Sequence, residues 1–264
     1  LLPSEQVMLS RRPTRNPEAY DHYLRGNRFM WRGTMETYVL AAIEEYQAAL
    51  RLDSSFTAAR GRLASAYELA VNWDLQVGGL PRESLLVRVL AHADRAIRED
   101  STVSDAWLAR SQVLFARGDY AAVLESGRRA VELSPGDDVA HQIYGTLLRR
   151  LGHFVEAEQE SRRSVLANPV RVVSLLELGA LTYVLHHFPE AKTWLDSAIA
   201  LDPTLSYLHL LRARVGVALD DLPAALQDAE TGLRLATHSE RPRAFAVLAE
   251  VSARMDQRAR AQEL

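Results

Sequence analysis

The chain has 264 residues, 48% hydrophobic and 25% charged, which is enough apolar mass to bury a continuous core and too much for a disordered polymer. Lys plus Arg number 31 against 34 Asp plus Glu, and the formal charge of −3 is scattered in both signs, so the basic surface needed to hold a nucleic-acid backbone is excluded. With no cysteine, disulfide frameworks, thiolate zinc sites and cysteine nucleophiles are excluded, while the compartment stays open.

Residues 1–16, with Arg11-Arg12-Pro13 and Asn16-Pro17, read as a tail or short lead-in. The chain begins Leu1-Leu2-Pro3-Ser4-Glu5 without an initiating Met or a cleavable signal pattern, so a piece of a longer protein is expected. Tyr20, Tyr23, Leu24, Phe29, Met30 and Trp31 then mark an apolar helix. No stretch reaches the roughly 20 apolar residues of a membrane span; the most hydrophobic one, Val170 to Leu185, is broken by Arg171 and Glu177. A soluble chain without membrane insertion is expected. The compartment is left undecided, with the cytoplasm favoured over the periplasm or another extracytoplasmic space, which a transmembrane segment before Leu1 would imply.

Further along, the chain repeats itself every 34 residues. Pro135, Pro169 and Pro203 are 34 apart and Ser101 holds the same phase one period earlier. Each proline follows an apolar helical pattern, which it cannot continue. Small residues keep the same beat: Ser111, Gly145, Gly179 and Ala213 in the first helix of each unit; Val123, Ala157, Ala191 and Ala225 in the second; Ala96, Ala130, Ser164, Ala198 and Gly232 near its end. Helices cross closely only where side chains are small, so these tracks are the packing sites of a helical hairpin. A large apolar residue (Tyr120, Phe154, Phe188, Leu222) marks the inter-helix turn, preceded by Gly118-Asp119, Gly152-His153, His186-His187 or Asp220-Asp221.

Backward, Ala42, Ala49 and Ala64 match Val89, Ala96 and Ser111 only at an offset of 47, so a 13-residue insertion is placed at 72–84, around Gly78-Gly79-Leu80-Pro81. Forward, Ala213 and Ala225 match Ala249 and Ala261 at an offset of 36, which predicts a last repeat ending inside its second helix. The predicted hairpins are 17–56, 57–103, 104–137, 138–171, 172–205, 206–239 and an incomplete 240–264.

This pattern resembles the tetratricopeptide repeat (TPR) family, best in 138–171 through Tyr144-Gly145, Leu148, Gly152, Phe154, Ala157 and Pro169. The resemblance covers nearly the whole chain and implies an all-α, right-handed superhelical solenoid of about seven helix-turn-helix repeats. Arg110 and Arg212 depart from it, standing where Tyr144, Leu178 and Leu248 are apolar, and are expected to weaken their hairpins. A narrower resemblance, carried by residues 12–26, by Ala42-Ile43 to Ala49-Leu50 and by the Gly-Gly-Leu-Pro insertion, is to TPR regions of bacterial multidomain signalling proteins. It implies an attached serine/threonine kinase, adenylate cyclase or winged-helix regulatory domain.

The resemblance also implies that first helices line a concave groove. At i, i+3, i+7, i+10 spacing, the inward stripes are Asp105, Leu108, Gln112, Phe115; Val139, Gln142, Thr146, Arg149; Val173, Leu176, Ala180, Tyr183; and Tyr207, Leu210, Arg214, Val217. The predicted partner-binding residues are Leu108, Gln112, Phe115, Gln142, Arg149, Leu176, Tyr183, Tyr207, Leu210 and Arg214. An apolar lining with sparse arginines favours an amphipathic helix or apolar extended segment of a protein partner. The competing reading is that several of these side chains pack on neighbouring helices. A clamp for a terminal carboxylate is rejected, because Leu108, Gln112, Ile143, Val173 and Glu177 stand at the matching places.

Other chemistry is weak. His186 and His187 diverge and no carboxylate pair sits at ligand spacing in the sequence, so no metal site is expected. Asp137-Asp138 and Asp220-Asp221 read as helix caps rather than cation ligands. No nucleophile elbow or glycine-rich phosphate loop appears, so neither catalytic residues nor a cofactor is expected, and an enzyme is the least favoured reading. Trp31, Trp107 and Trp194 read as core, and Trp73, on the insertion, as a lid over the groove or a contact point. An interaction scaffold is preferred, with homo-oligomerisation open; the alternative is a small-ligand or peptide sensor regulating an attached enzyme or DNA-binding domain.

Overall fold

The computed structural model describes residues 14–32 and 36–262, so the predicted tail lies outside the described residues up to position 13. Among the described residues there are thirteen α-helices and no strand. They are α1 (Pro17–Arg32), α2 (Glu36–Leu52), α3 (Thr57–Asn72), α4 (Arg82–Glu99), α5 (Ser104–Arg117), α6 (Tyr120–Leu133), α7 (Asp138–Arg150), α8 (Phe154–Ala167), α9 (Val172–Val184), α10 (Phe188–Leu201), α11 (Ser206–Ala218), α12 (Leu222–Leu235) and α13 (Arg241–Gln262). The chain forms two compact units, Leu1–Pro135 and Gly136–Leu264.

In unit 1, the hairpins α1–α2, α3–α4 and α5–α6 enclose a core around Tyr46, Leu63, Tyr67, Leu85, Val89 and Val113, all at most 2% exposed. Close approach depends on glycine: a Cβ on Gly26 would lie 2.5 Å from Cε1 of Tyr46, and one on Gly61 2.5 Å from Cγ1 of Val103. The stretch between α3 and α4 is anchored to this core. Val77 is buried, Leu75 and Leu80 pack against the cluster, and Arg82 donates from Nη1 to the Val71 carbonyl. Trp73 remains 57% exposed. Trp107 and Trp194 are only partly buried, each donating Nε1 to a polar acceptor: the Ser101 carbonyl at 3.0 Å and Glu190 Oε1 at 3.1 Å. The side chain of Trp31 lies outside the described residues.

In unit 2, α7–α8, α9–α10 and α11–α12 pair as hairpins and α13 follows. A Cβ on Gly145 would meet Ser161 Oγ at 3.1 Å and the Ala157 carbonyl at 3.3 Å; one on Gly179 would meet Leu195 Cγ at 3.0 Å. Small side chains therefore set the crossing distance, and large neighbours such as Leu178 and Leu195 are left fully buried. Each of these contributes about 1.5–3 kcal/mol.

The 34-residue beat is written into the backbone as well. Gly118, Gly152, His186 and Asp220 close the turns between paired helices with φ of 79°, 85°, 62° and 60°. The residue after each is the N-cap of the next helix, and where that residue is Asp119 or Asp221 its Oδ1 accepts from Ala122 N or Ala224 N. Asp137 likewise accepts from Val139 N at 2.9 Å and Ala140 N at 3.2 Å, as its capping reading requires.

Two expectations are corrected. The last repeat has no second helix: α13 runs unbroken for 22 residues, past Asp256, which is 36 residues beyond Asp220. Backbone hydrogen bonding continues through the position where the earlier hairpins take a left-handed turn, which avoids the cost of that conformation. The arginines at apolar positions are not unmatched either. Arg110 bonds Asp94 Oδ1 at 3.0 Å and Ser126 Oγ at 2.6 Å, and Arg212 bonds both Asp196 and Asp228, so acceptors on the flanking second helices replace the missing apolar contacts.

Candidate functional site

First helices α7, α9, α11 and α13 of unit 2 lie side by side and together line a cleft of about 170 Å³. Its apolar wall is Tyr183, Tyr207, Leu210 and Val247, with Ala180, Val184 and Leu211 filling between them; its charged groups are Arg149, Arg214 and Arg243. Leu210 is 2% exposed and is seated from behind by α12, where a Cβ on Gly232 would lie 2.5 Å from its Cδ2. Tyr183 is braced by Phe188 with ring centroids 5.7 Å apart. The Arg243 guanidinium sits 4.3 Å from the centroid of the Tyr207 ring, a cation–π contact that turns the ring face toward positive charge.

The arginines are tied but not saturated. Arg149 Nη2 donates to Glu177 Oε2 at 3.2 Å and Arg214 Nε to Glu250 Oε2 at 3.3 Å. Arg149 Nε is buried and has no hydrogen-bond partner among the described residues. Glu177, Glu250 and Glu240 answer the three guanidiniums from outside the cleft, so the charges of the lining itself are all positive, beside rigid aromatic surface that an apolar side chain can cover.

Five of the ten predicted partner-binding residues meet here: Arg149, Tyr183, Tyr207, Leu210 and Arg214. Leu176 packs against the neighbouring core and Gln142 bonds Thr146 on its own helix, Nε2 to Oγ1 at 3.2 Å. In unit 1, Leu108 is 7% exposed, Gln112 hydrogen-bonds the buried Glu68, and the Phe115 ring lies 5.8 Å from that of Tyr120. Sequence reasoning missed Val184, Leu211, Arg243 and Val247. The signal for Arg243 was present: the 36-residue offset carries Tyr207 onto Arg243, and Arg214 onto its own partner Glu250.

The expectation that no carboxylate pair accompanies the turn histidines is corrected. Glu158, His187 and Glu190 bring ligand atoms within 4.8 Å of one another. Arg162 already lies against both carboxylates, donating from Nη2 to Glu158 Oε1 at 2.7 Å and Glu190 Oε1 at 2.6 Å. Burial opposes ionisation of Glu190, but bonds from Arg162 and Trp194 outweigh it and hold its carboxyl below the usual range. The cluster is a carboxylate pair bridged by a guanidinium. His186 and His187 are exposed, and His186 lies edge-on to Phe188 at 5.4 Å.

No described helix is long and apolar enough to cross a membrane. No family model and no curated protein matches the chain. Solved structures do. PilF of Pseudomonas aeruginosa is similar over 90% of this chain and 97% of its own, at 17% identity and a TM-score of 0.66. A tetratricopeptide repeat protein from Parabacteroides merdae is similar over 93% and 90%, at 15% identity and a TM-score of 0.57. YrrB, described as a TPR protein with an unusual peptide-binding site, is similar over 76% and 97%, at 15% identity and a TM-score of 0.57. Paired helices, small-residue crossings on a 34-residue beat and these likenesses agree: the chain has the all-α tetratricopeptide-repeat fold.

Proposed function

We propose that this protein is an interaction scaffold that binds a segment of a protein partner in the unit 2 cleft, and that its task is binding rather than catalysis. The observation that carries the reading is the convergence of Tyr183, Tyr207 and Leu210 with Arg149, Arg214 and Arg243 on one concavity formed by first helices alone. Rigid aromatics and arginines are the side chains that dominate binding energy where partners meet. The positive charge of the lining favours an apolar segment flanked by carboxylates. YrrB, which has the same fold and is described by its peptide-binding site, supports the assignment. The resemblance of residues 12–26 and of the Gly78-Gly79-Leu80-Pro81 stretch supports a place within a larger signalling protein.

The test is selection of peptides from a random display library on the purified chain, followed by affinity measurement on the wild type and on Tyr183→Ala and Tyr207→Ala. Enriched peptides should carry an apolar residue beside Asp or Glu, and each variant should bind them about tenfold or more weakly with helicity unchanged. Peptides held equally by all three proteins would remove the cleft from the interaction.

A further inference from the structure

A second cavity, of about 330 Å³, lies in unit 1 between α2 and α4, across α3. Four arginines line it: Arg51 from α2, Arg60 from α3, and Arg88 and Arg95 from α4. Only one carboxylate answers them. Glu99 accepts from Arg60 Nε at 3.2 Å and from Arg95 Nε at 2.7 Å, while Arg51 and Arg88 have no ion-pair partner among the described residues. Four guanidiniums and one carboxylate leave three positive charges around one concavity, in a chain whose overall charge is negative.

Such an accumulation repels itself unless an anion enters, and the site is prepared for one. Arg60 is only 4% exposed and is fixed by Glu99 and by the Ser54 carbonyl, so its orientation costs little entropy on binding. Tyr67 Oη accepts from Gln47 Nε2 at 2.6 Å, which leaves its own proton uncommitted among the described residues and available to donate. The floor is apolar, made of Leu50, Leu63 and the Tyr67 ring, with the His92 ring 5.8 Å from that of Tyr67.

We infer that this cavity is a binding site for a phosphomonoester carried on an aromatic or apolar group, the dianion held by Arg51, Arg60 and Arg88 and its carrier lying on Tyr67 and Leu63. A dianion answers three unneutralised charges better than a single carboxylate, and guanidinium forks match phosphate oxygens in pairs. The neighbouring His92 senses the same field. Burial, and then Arg60, Arg88 and Arg95, push its pKa down to about 4, so it is neutral at physiological pH, and a bound dianion offsets the arginines.

The probe is phenyl phosphate, titrated into the full chain at neutral pH and followed by the side-chain resonances of Tyr67 and His92, with benzoate as the comparison. Phenyl phosphate should saturate about tenfold or more tightly than benzoate, raise the His92 pKa, and lose about tenfold in affinity on Arg51→Gln combined with Arg88→Gln. Both arginines are exposed and without carboxylate partners, and their removal relieves repulsion, so that variant should melt no lower than the parent. A phosphotyrosyl peptide that binds more tightly than phenyl phosphate supports the site with a modified protein as its source; one that binds equally or less tightly supports it with a free phosphomonoester. No saturable shift at millimolar phenyl phosphate, equal affinity for benzoate, or unchanged affinity in the double variant overturns the assignment.

Discussion

Arg212 holds Asp228 with both prongs of its guanidinium, Nε to Oδ2 and Nη2 to Oδ1 at 2.7 Å each, while Nη1 reaches Asp196 at 2.7 Å. The carboxylates stand 16 residues to either side, one on the second helix of the preceding hairpin and one on that of its own. The Arg212 side chain is 24% exposed and that of Asp228 11%. Removing Asp228 leaves Arg212 its single bond to Asp196 and two half-buried guanidinium donors unpaired, whereas removing both partners leaves no such donors. We predict that Asp228→Ala costs about 2–4 kcal/mol, and that adding Arg212→Leu recovers part of the loss. Urea denaturation of the three proteins checks this, and a double variant less stable than Asp228→Ala contradicts it.

Gly145→Leu and Gly179→Leu should each cost about 1–3 kcal/mol, because the new side chain meets the Ala157 carbonyl or the Leu195 side chain where the helices cross. Gly136→Ala, which meets nothing within 4 Å, should stay within about 0.5 kcal/mol of the parent. Thermal melts that rank Gly136→Ala with the other two would show that the crossings are not set by small residues.

The inter-helix turns give a paired prediction. His186 adopts a left-handed conformation that glycine reaches without a Cβ penalty, so His186→Gly should stabilise unit 2 by about 0.5–1 kcal/mol; Gly152→Ala should destabilise it by about 1 kcal/mol. Opposite shifts in melting temperature are the expected result, and a loss in both variants would mean that the edge contact of His186 with Phe188 outweighs the backbone term.

Glu68 makes unit 1 sensitive to pH. Burial raises its pKa to about 7, against the lowering effect of hydrogen bonds from Asn72 and Gln112. The folded state therefore binds the proton more tightly than the unfolded chain, so the stabilising contribution is complete below pH 4.5 and is lost as pH rises through 7. Glu68→Gln has no proton to lose. Its advantage over the wild type should grow by about 2–3 kcal/mol between pH 4.5 and 8. The opposite titration of His92, lost as pH falls from 6.5 toward 4, is common to both proteins and cancels. A stability difference that stays flat across this range would refute the assignment.

The helical-repeat fold was legible in Gly145, Ala157, Gly179 and Ala191, because whether two helices can cross closely is decided by the size of one or two side chains whose spacing the chain itself displays. Helix termination is equally local, so Pro135, Pro169 and Pro203 announce it, each two residues past the last residue of a helix. Half of the proposed cleft was readable in the same way, since a helical stripe is a periodic feature of single segments.

What no local pattern contained was pairing between distant side chains. Arg212 read as a misplaced charge until the folded chain set Asp196 and Asp228 beside it; Glu158 and Glu190 became neighbours only when successive second helices stacked; and Arg51, Arg60, Arg88 and Arg95 face one cavity only because α2, α3 and α4 pack together. Charge and hydrogen bonding act over a few ångströms of space regardless of separation along the chain, so these relationships belong to the packed structure alone.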